Sequence, residues 1–387
     1  MMPRLHDRAL RSSGTTRDLR VDFLRGVALL FIFMAHVYEN PVPQFTLISW
    51  GFADTAECYF FLSGYVCALA YGRVLKRDGF AACLRKAWRR VGQIYVANIV
   101  FVVAFALMIR IWQDRSPEHG FPYNADRHDP IIAAGWAELP ELLSLKLEPM
   151  VLTVLAVYMV FLLILPWVLA LAQRRIALVF LLSLLVYLCV TLFPEHARMP
   201  DPWHAMWYFN PFAWQFVFFC GVAWGYAAKW REWIIPRHVI PLVAAGFVIE
   251  AAFLLRLLYP VEVAACINRS QLAPLRLLYF YCMLVVGRFV FRRDAALLRW
   301  RPIELLSLIG KRPLLVYCTG ALLATFAALL IATYGPTGLL LLFINVAGCA
   351  ILGVIAFGAE SLSHLQKVKV ATQGGAARPV ESGVQDI

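Results

Sequence analysis

Arg25, His36 and Glu57 are ionisable residues lying within long apolar runs of this sequence. A charge in such a run is costly, and its retention argues for a function. Of the eight histidines, His36 alone lies well inside a run; His6, His119, His128, His196, His204, His238 and His364 fall in loops, run ends or tails. Arg25 precedes His36 by eleven residues. On a helix, eleven residues make three turns, so both side chains leave one face, roughly 16 Å apart along the axis. An imidazole is the side chain best suited to act as a general base near neutral pH. A carboxylate beside it, as Glu57 is expected to be, would fix its tautomer and steady its charged form. Each residue also has a plainer reading. Arg25 can be a snorkelling anchor, His36 can bond a neighbouring helix, and Glu57 can pair with Arg110 or Arg256.

The elements that must position these groups are membrane helices. The chain has 387 residues, 61% hydrophobic and 16% charged, against about 45–50% and about 25% in soluble domains. Runs such as 151–172 reach the roughly 20 apolar residues that span a bilayer core. The reading is an all-α integral membrane protein of about ten transmembrane helices: 22–40, 52–72, 92–112, 150–172, 176–193, 211–228, 239–259, 272–291, 312–334 and 336–358. Residues 1–20 form a basic cytoplasmic arm, 21–359 the membrane domain and 360–387 a flexible cytoplasmic tail. No small-residue cleavage site follows the first span, so it reads as a retained helix.

Lysine and arginine favour cytoplasmic loops. With the amino terminus inside, the inner connections hold Arg73, Lys76, Arg77, Arg85, Lys86, Arg89, Arg90, Arg174, Arg175, Lys229, Arg231, Arg237, Arg292, Arg293, Arg299 and Arg301. The outer ones carry acids such as Asp114, Glu118, Asp126, Glu138 and Glu141. Both termini then face the cytoplasm. Much of the +12 net charge follows from topology, and no nucleic-acid partner is implied. The outer segment 194–210 holds Trp203, Trp207 and Tyr208 beside His196 and His204; it reads as an interfacial aromatic belt or as a platform for sugar rings. The nine cysteines are scattered without a C-x-x-C pair, so no metal site or disulfide is expected, and no permanently bound cofactor.

A cation at the inner face and a base three turns outward suit a long donor with a phosphorylated head and a reactive far end. Acyl-coenzyme A has that shape. Arg25 with Arg73, Arg85, Arg89 and Arg90 could hold the phosphates, while the thioester reaches His36 and Glu57.

The residues themselves are familiar. RDLRVDFLRGVALLFIFMAH (17–36) resembles the opening motif of membrane acyltransferase family 3, and AECYFFLSGYV (56–66) resembles that superfamily's acidic residue followed by FFxSG. Within it, the chain is similar to the OpgC group, associated with succinylation of osmoregulated periplasmic glucans, through AECYFFLSGYV, RRVGQIYVANI (89–99) and WYFNPFAWQFVFFCG (207–221). The segment 306–320 resembles the family's Gly-basic-Ser-Leu stretch, with Pro313 in place of the serine. The resemblance implies His36 in catalysis, Arg25 in donor binding, and Glu57 and Ser63 in the site region. It also implies that Asn210, Trp214 and Gln215 lie near the site or the acceptor. The expected activity is an O-acyltransferase of a bacterial inner membrane, moving an acyl group, succinyl by resemblance, from acyl-CoA to a glucan or other glycan. The sequence permits a homo-oligomer. The competing reading is a polysaccharide or proton-coupled transporter using His36 and Glu57. Many transporters carry paired inverted repeats, and the sequence has no second copy of the Arg25–His36 helix.

Overall fold

A computed structural model of the protein describes residues 18–46, 50–116, 139–146, 149–197, 199–200, 207–226, 238–291 and 300–375. The amino-terminal arm before residue 18, most of segment 113–149 with His119 and His128, and Trp203 with His204 lie outside the described residues. So do the inner-loop residues Lys229, Arg231, Arg237, Arg292, Arg293 and Arg299, and the tail after 375.

Among the described residues the fold is helical, without strands. In chain order the helices are α1 (Leu19–His36), α2 (Thr55–Arg115), α3 (Leu139–Leu143), α4 (Thr153–Leu192), α5 (Pro211–Tyr226), α6 (Val239–Leu258), α7 (Pro260–Cys266), α8 (Pro274–Val290), α9 (Arg301–Lys311), α10 (Pro313–Tyr334) and α11 (Gly338–Gly375). Short 3-10 turns cover Val42–Phe45 and Met150–Leu152. Prolines open α7, α8, α9 and α10, where the missing N–H would have had no helical partner. Asp18 caps α1 by accepting from the Arg20 N–H at 3.2 Å.

The ten apolar runs read from the sequence are mostly helical where described, but two pairs of them are fused. Runs 52–72 and 92–112 are the two rods of α2, separated at Gly79, whose φ of 83° lies in the left-handed region that glycine tolerates. Cys83 donates to the Tyr71 carbonyl at 3.7 Å and Lys86 to the Ala70 carbonyl at 3.2 Å. The second rod therefore folds back on the first. Runs 150–172 and 176–193 lie in α4, which breaks at Arg175. By length and composition, five helices can cross a membrane: α2, α4, α6, α10 and the Gly338–Ser363 part of α11. The shorter α1 and α8 each keep a buried arginine. The chain is a membrane protein and has, among the described residues, five crossing-competent helices by this measure.

Two helix pairs meet backbone to backbone. A Cβ on Gly26 of α1 would stand 2.0 Å from the Leu306 carbonyl oxygen, and one on Gly310 of α9 would stand 1.8 Å from that of Asp22. Likewise α2 and α5 meet at Gly64 and Gly221, where added Cβ atoms would fall 1.9 Å from the Phe218 oxygen and 2.0 Å from the Phe61 oxygen. Small residues that let helices approach closely are the packing device of membrane bundles, where no hydrophobic drive separates helix from lipid. Around them an aromatic core assembles from α2, α4 and α5: Phe60 packs on Phe161, Phe209 and Trp214, with ring centroids 5.8, 5.8 and 5.1 Å away. In contrast α6 faces outward, with Ile240 and Phe247 exposed, a surface suited to lipid.

Candidate active site

The first turn of α2 is built by a reciprocal cap. Asp54 accepts from the Ala56 N–H at 2.7 Å, and Glu57 reaches back to accept from the Asp54 N–H at 2.9 Å, so two orphan donors of the helix start are satisfied. This turn is buried; Glu57 has 0% exposure. Its acids are met by arginines from the far side of the sequence. Arg276, in the first turn of α8, donates through Nε to Glu57 Oε1 at 2.7 Å and through Nη2 to Asp54 Oδ2 at 3.0 Å. Arg269, on the turn before α8, brings Nε within 2.9 Å of the same Asp54 oxygen. Its guanidinium lies 5.8 and 6.0 Å from the Tyr208 and Phe209 ring centres. Charge-assisted contacts from a planar fork suit such buried pairing.

His36 ends α1. It is half-buried, and Nδ1 lies 2.6 Å from the Ile32 carbonyl oxygen. A carbonyl only accepts, so Nδ1 carries the hydrogen, and the basic nitrogen of the neutral ring is Nε2. Arg269 and Asp54 lie within electrostatic reach of the imidazole. The expected bond between Glu57 and His36 is not formed: both Glu57 oxygens are engaged, one by Arg276 and one by the Asp54 N–H. The capping geometry turns this carboxylate back toward its own helix start.

Arg25 sits three turns inward on α1, 7% exposed. Its Nε has no hydrogen-bond partner, and among the described residues no carboxylate pairs with it. Tyr59 and Cys67 of α2 both feel its charge, and both feel that of Arg90. Arg90 is half-buried and donates to Gln93 Oε1 at 3.2 Å. Lys86 lies over the Tyr71 ring at 5.1 Å. Arg73, Arg85 and Arg89 are exposed on α2 around the Gly79 bend, and Arg73 donates to its own helix at Leu69. Ser63 is buried, next in sequence to Gly64, whose backbone meets α5.

The residues Asn210, Trp214 and Gln215 bind protein. Asn210 caps α5, donating to Gln271 Oε1 at 2.8 Å and to the Ala197 carbonyl at 3.0 Å. The Trp214 indole donates to the Arg269 and Ser270 carbonyls at 3.1 and 3.2 Å. Together they hold the turn that carries Arg269. Gln215 accepts from Ser183 at 2.6 Å and donates to the Ser183 carbonyl at 2.8 Å, tying α4 to α5.

Neither arginine considered from sequence as a partner of Glu57 bonds it. Arg110 pairs with exposed Asp114 at 3.5 Å, and Arg256 donates to the Gly51 carbonyl, within electrostatic reach of Asp54 and Arg276. Asp54, Arg269 and Arg276 were missed. Asp54 and Arg276 fall inside the apolar runs 52–72 and 272–291, so the reasoning that singled out Arg25 applies to them equally. Arg269 has no local signal.

The family model described as OpgC protein matches residues 17–364, from the start of α1 into α11. The chain belongs to the OpgC protein family. Membership suggests a glucan-modifying, acyltransferase-like role, and the match encloses α1, the Asp54–Glu57 turn and the α5 motif alike. No match was found among curated proteins or solved structures. Among the described residues no group of histidine, cysteine and acidic side chains could hold a metal.

Proposed function

We propose that this OpgC-family protein is an acyl-CoA-dependent O-acyltransferase that moves a succinyl group to glucan hydroxyls, with His36 as general base. The observation that supports it most is the pairing along α1 of a buried arginine lacking a carboxylate with an imidazole whose Nδ1 is already engaged. A buried cation without an anion is unfavourable, and the phosphates of a bound donor would supply one.

In this reading Nε2 of His36 takes the proton of the acceptor hydroxyl as its oxygen attacks the thioester carbonyl. The tetrahedral intermediate collapses, the carbon–sulfur bond breaks, and the imidazolium returns the proton to the departing thiolate. The products are the glycan ester and free coenzyme A. Arg25 and Arg90 hold the donor head, with Arg73, Arg85 and Arg89 drawing it from the inner side. Glu57 acts at one remove: with Arg276 it fixes Asp54, which with Arg269 sets the field at His36. Ser63 and the Asn210–Trp214–Gln215 group shape the surroundings. Direct transfer is preferred over an acyl-enzyme at Ser63. The protein is multi-pass in a bacterial inner membrane, ten crossings with both termini cytoplasmic, and its acceptor is periplasmic.

Purified protein incubated with succinyl-CoA labelled in the acyl group and a periplasmic glucan tests this. Covalent label on the sugar is the expected result. Sugar left unlabelled, with glucan accumulating across a vesicle membrane, would favour the transporter reading.

A further inference from the structure

The second rod of α2 carries a buried polar residue that neither the cap nor the ionic cluster uses. Asn98 has 0% exposure, and neither its Oδ1 nor its Nδ2 has a hydrogen-bond partner in the protein. A buried amide with both functions unmet is expensive. An Asn side chain presents an acceptor and a donor side by side in one plane. A trans secondary amide points its N–H and its carbonyl opposite ways, so an arm with two spaced amides meets both functions, the N–H of one donating to Oδ1 and the carbonyl of the other accepting from Nδ2–H.

The position of Asn98 says which amide. Buried residues recur along this rod at Cys83, Ala87, Ile94, Asn98, Val102 and Phe105, the three-and-four spacing of one inward helix face. Arg90 falls on that stripe, between Ala87 and Ile94. It stands two turns from Asn98, about 12 Å along the axis. Arg90 and Arg25 both act on Tyr59 and Cys67, so the stripe faces the interior that holds the proposed donor head. The rod folds back along its predecessor, so Asn98 lies from Arg90 in the direction that His36 lies from Arg25.

We propose that Asn98 recognises the spaced secondary amides in the arm of the acyl donor, between the phosphates and the thioester. This deepens the function proposed above and rests on its donor assignment. Asn98 is thus a binding residue for thioesters whose carrier arm contains amides, and it discriminates against thioesters whose arm does not.

The test compares two donors of one acyl group on full-length purified protein: the CoA thioester and the amide-free thioester of 2-mercaptoethanol. Asn98→Leu is expected to lower the kcat/KM ratio of the first donor to the second by roughly tenfold or more, through KM of the CoA thioester. Asn98→Gln, which keeps both polar functions, should lose less of that ratio, and it serves where the leucine variant fails to accumulate. An unchanged ratio in both variants, as expected if Asn98 only holds structural water, overturns the proposal. So does an equal loss with both donors, which would indicate a general packing fault. No transfer from acyl-CoA by the unaltered protein would overturn the donor assignment and this inference with it; transfer by the unaltered protein with an unchanged ratio in the variants overturns this inference alone.

Discussion

Arg276 donates through Nε to Glu57 Oε1 at 2.7 Å, joining the start of α8 to the first turn of α2 across more than two hundred residues of sequence. The same guanidinium reaches Asp54 at 3.0 Å. Arg276→Met would leave two buried carboxylates short of their shared partner, a loss of about 3–5 kcal/mol for breaking such a pair. We expect a large drop in the thermal midpoint of the detergent-solubilised protein, partly restored by adding Glu57→Gln. A midpoint unchanged by Arg276→Met would show that this pairing does not hold the two helices.

His36 bonds the Ile32 carbonyl within its own helix, and losing that bond should cost about 1 kcal/mol. Normalised to the protein that accumulates in the membrane, acyl incorporation by His36→Ala should fall to background. Incorporation near the unaltered level would remove His36 from the chemistry.

Arg25 separates function from stability in the opposite sense. It has no carboxylate partner among the described residues, so Arg25→Met deletes a buried charge and should leave the thermal midpoint equal or higher. Donor use should suffer, with the apparent KM for acyl-CoA rising about tenfold or more for a lost charge-assisted contact. A lower midpoint with unchanged KM would make Arg25 a structural anchor.

Gly64→Ala would press a methyl carbon within 1.9 Å of the Phe218 carbonyl. Neither backbone can move alone, and overpacking of this kind costs roughly 1–3 kcal/mol or more. Reduced accumulation and a lower midpoint are expected. Gly92→Ala, where a Cβ would meet nothing, is the control on the same helix.

Trp214→Phe keeps the aromatic packing but removes the indole donor to the Arg269 and Ser270 carbonyls. Stability should fall by only about 0.5–1.5 kcal/mol. Activity should fall further, because the turn that places Arg269 against Asp54 is loosened. Equal activity at equal occupancy would make the motif purely structural.

The sequence made the helices legible because burial in lipid demands long apolar runs, and each run is mostly helical where described. It made Arg25, His36 and Glu57 legible because charges stand out against that background. It could not show that Glu57 turns back to cap its own helix, since a capping box and a catalytic carboxylate look alike in one dimension. Nor could it pair Asp54 and Glu57 with Arg276, because nothing local to residue 276 records which helix it meets. The fusion of runs 150–172 and 176–193 into one broken helix was hidden by Arg174 and Arg175, which read as a loop.

The glycine seat between α1 and α9 has a consequence for selectivity. With Gly26 and Gly310 in backbone contact, α1 has no side-chain cushion on which to shift along its axis. The interval from Arg25 to His36 is a gauge set by α1 itself, and the glycine seat fixes where that gauge stands in the bundle. On the proposed chemistry, a carrier is measured by the reach of its arm: one too short or too long for the gauge would hold its thioester out of register with Nε2, whatever acyl group it bears.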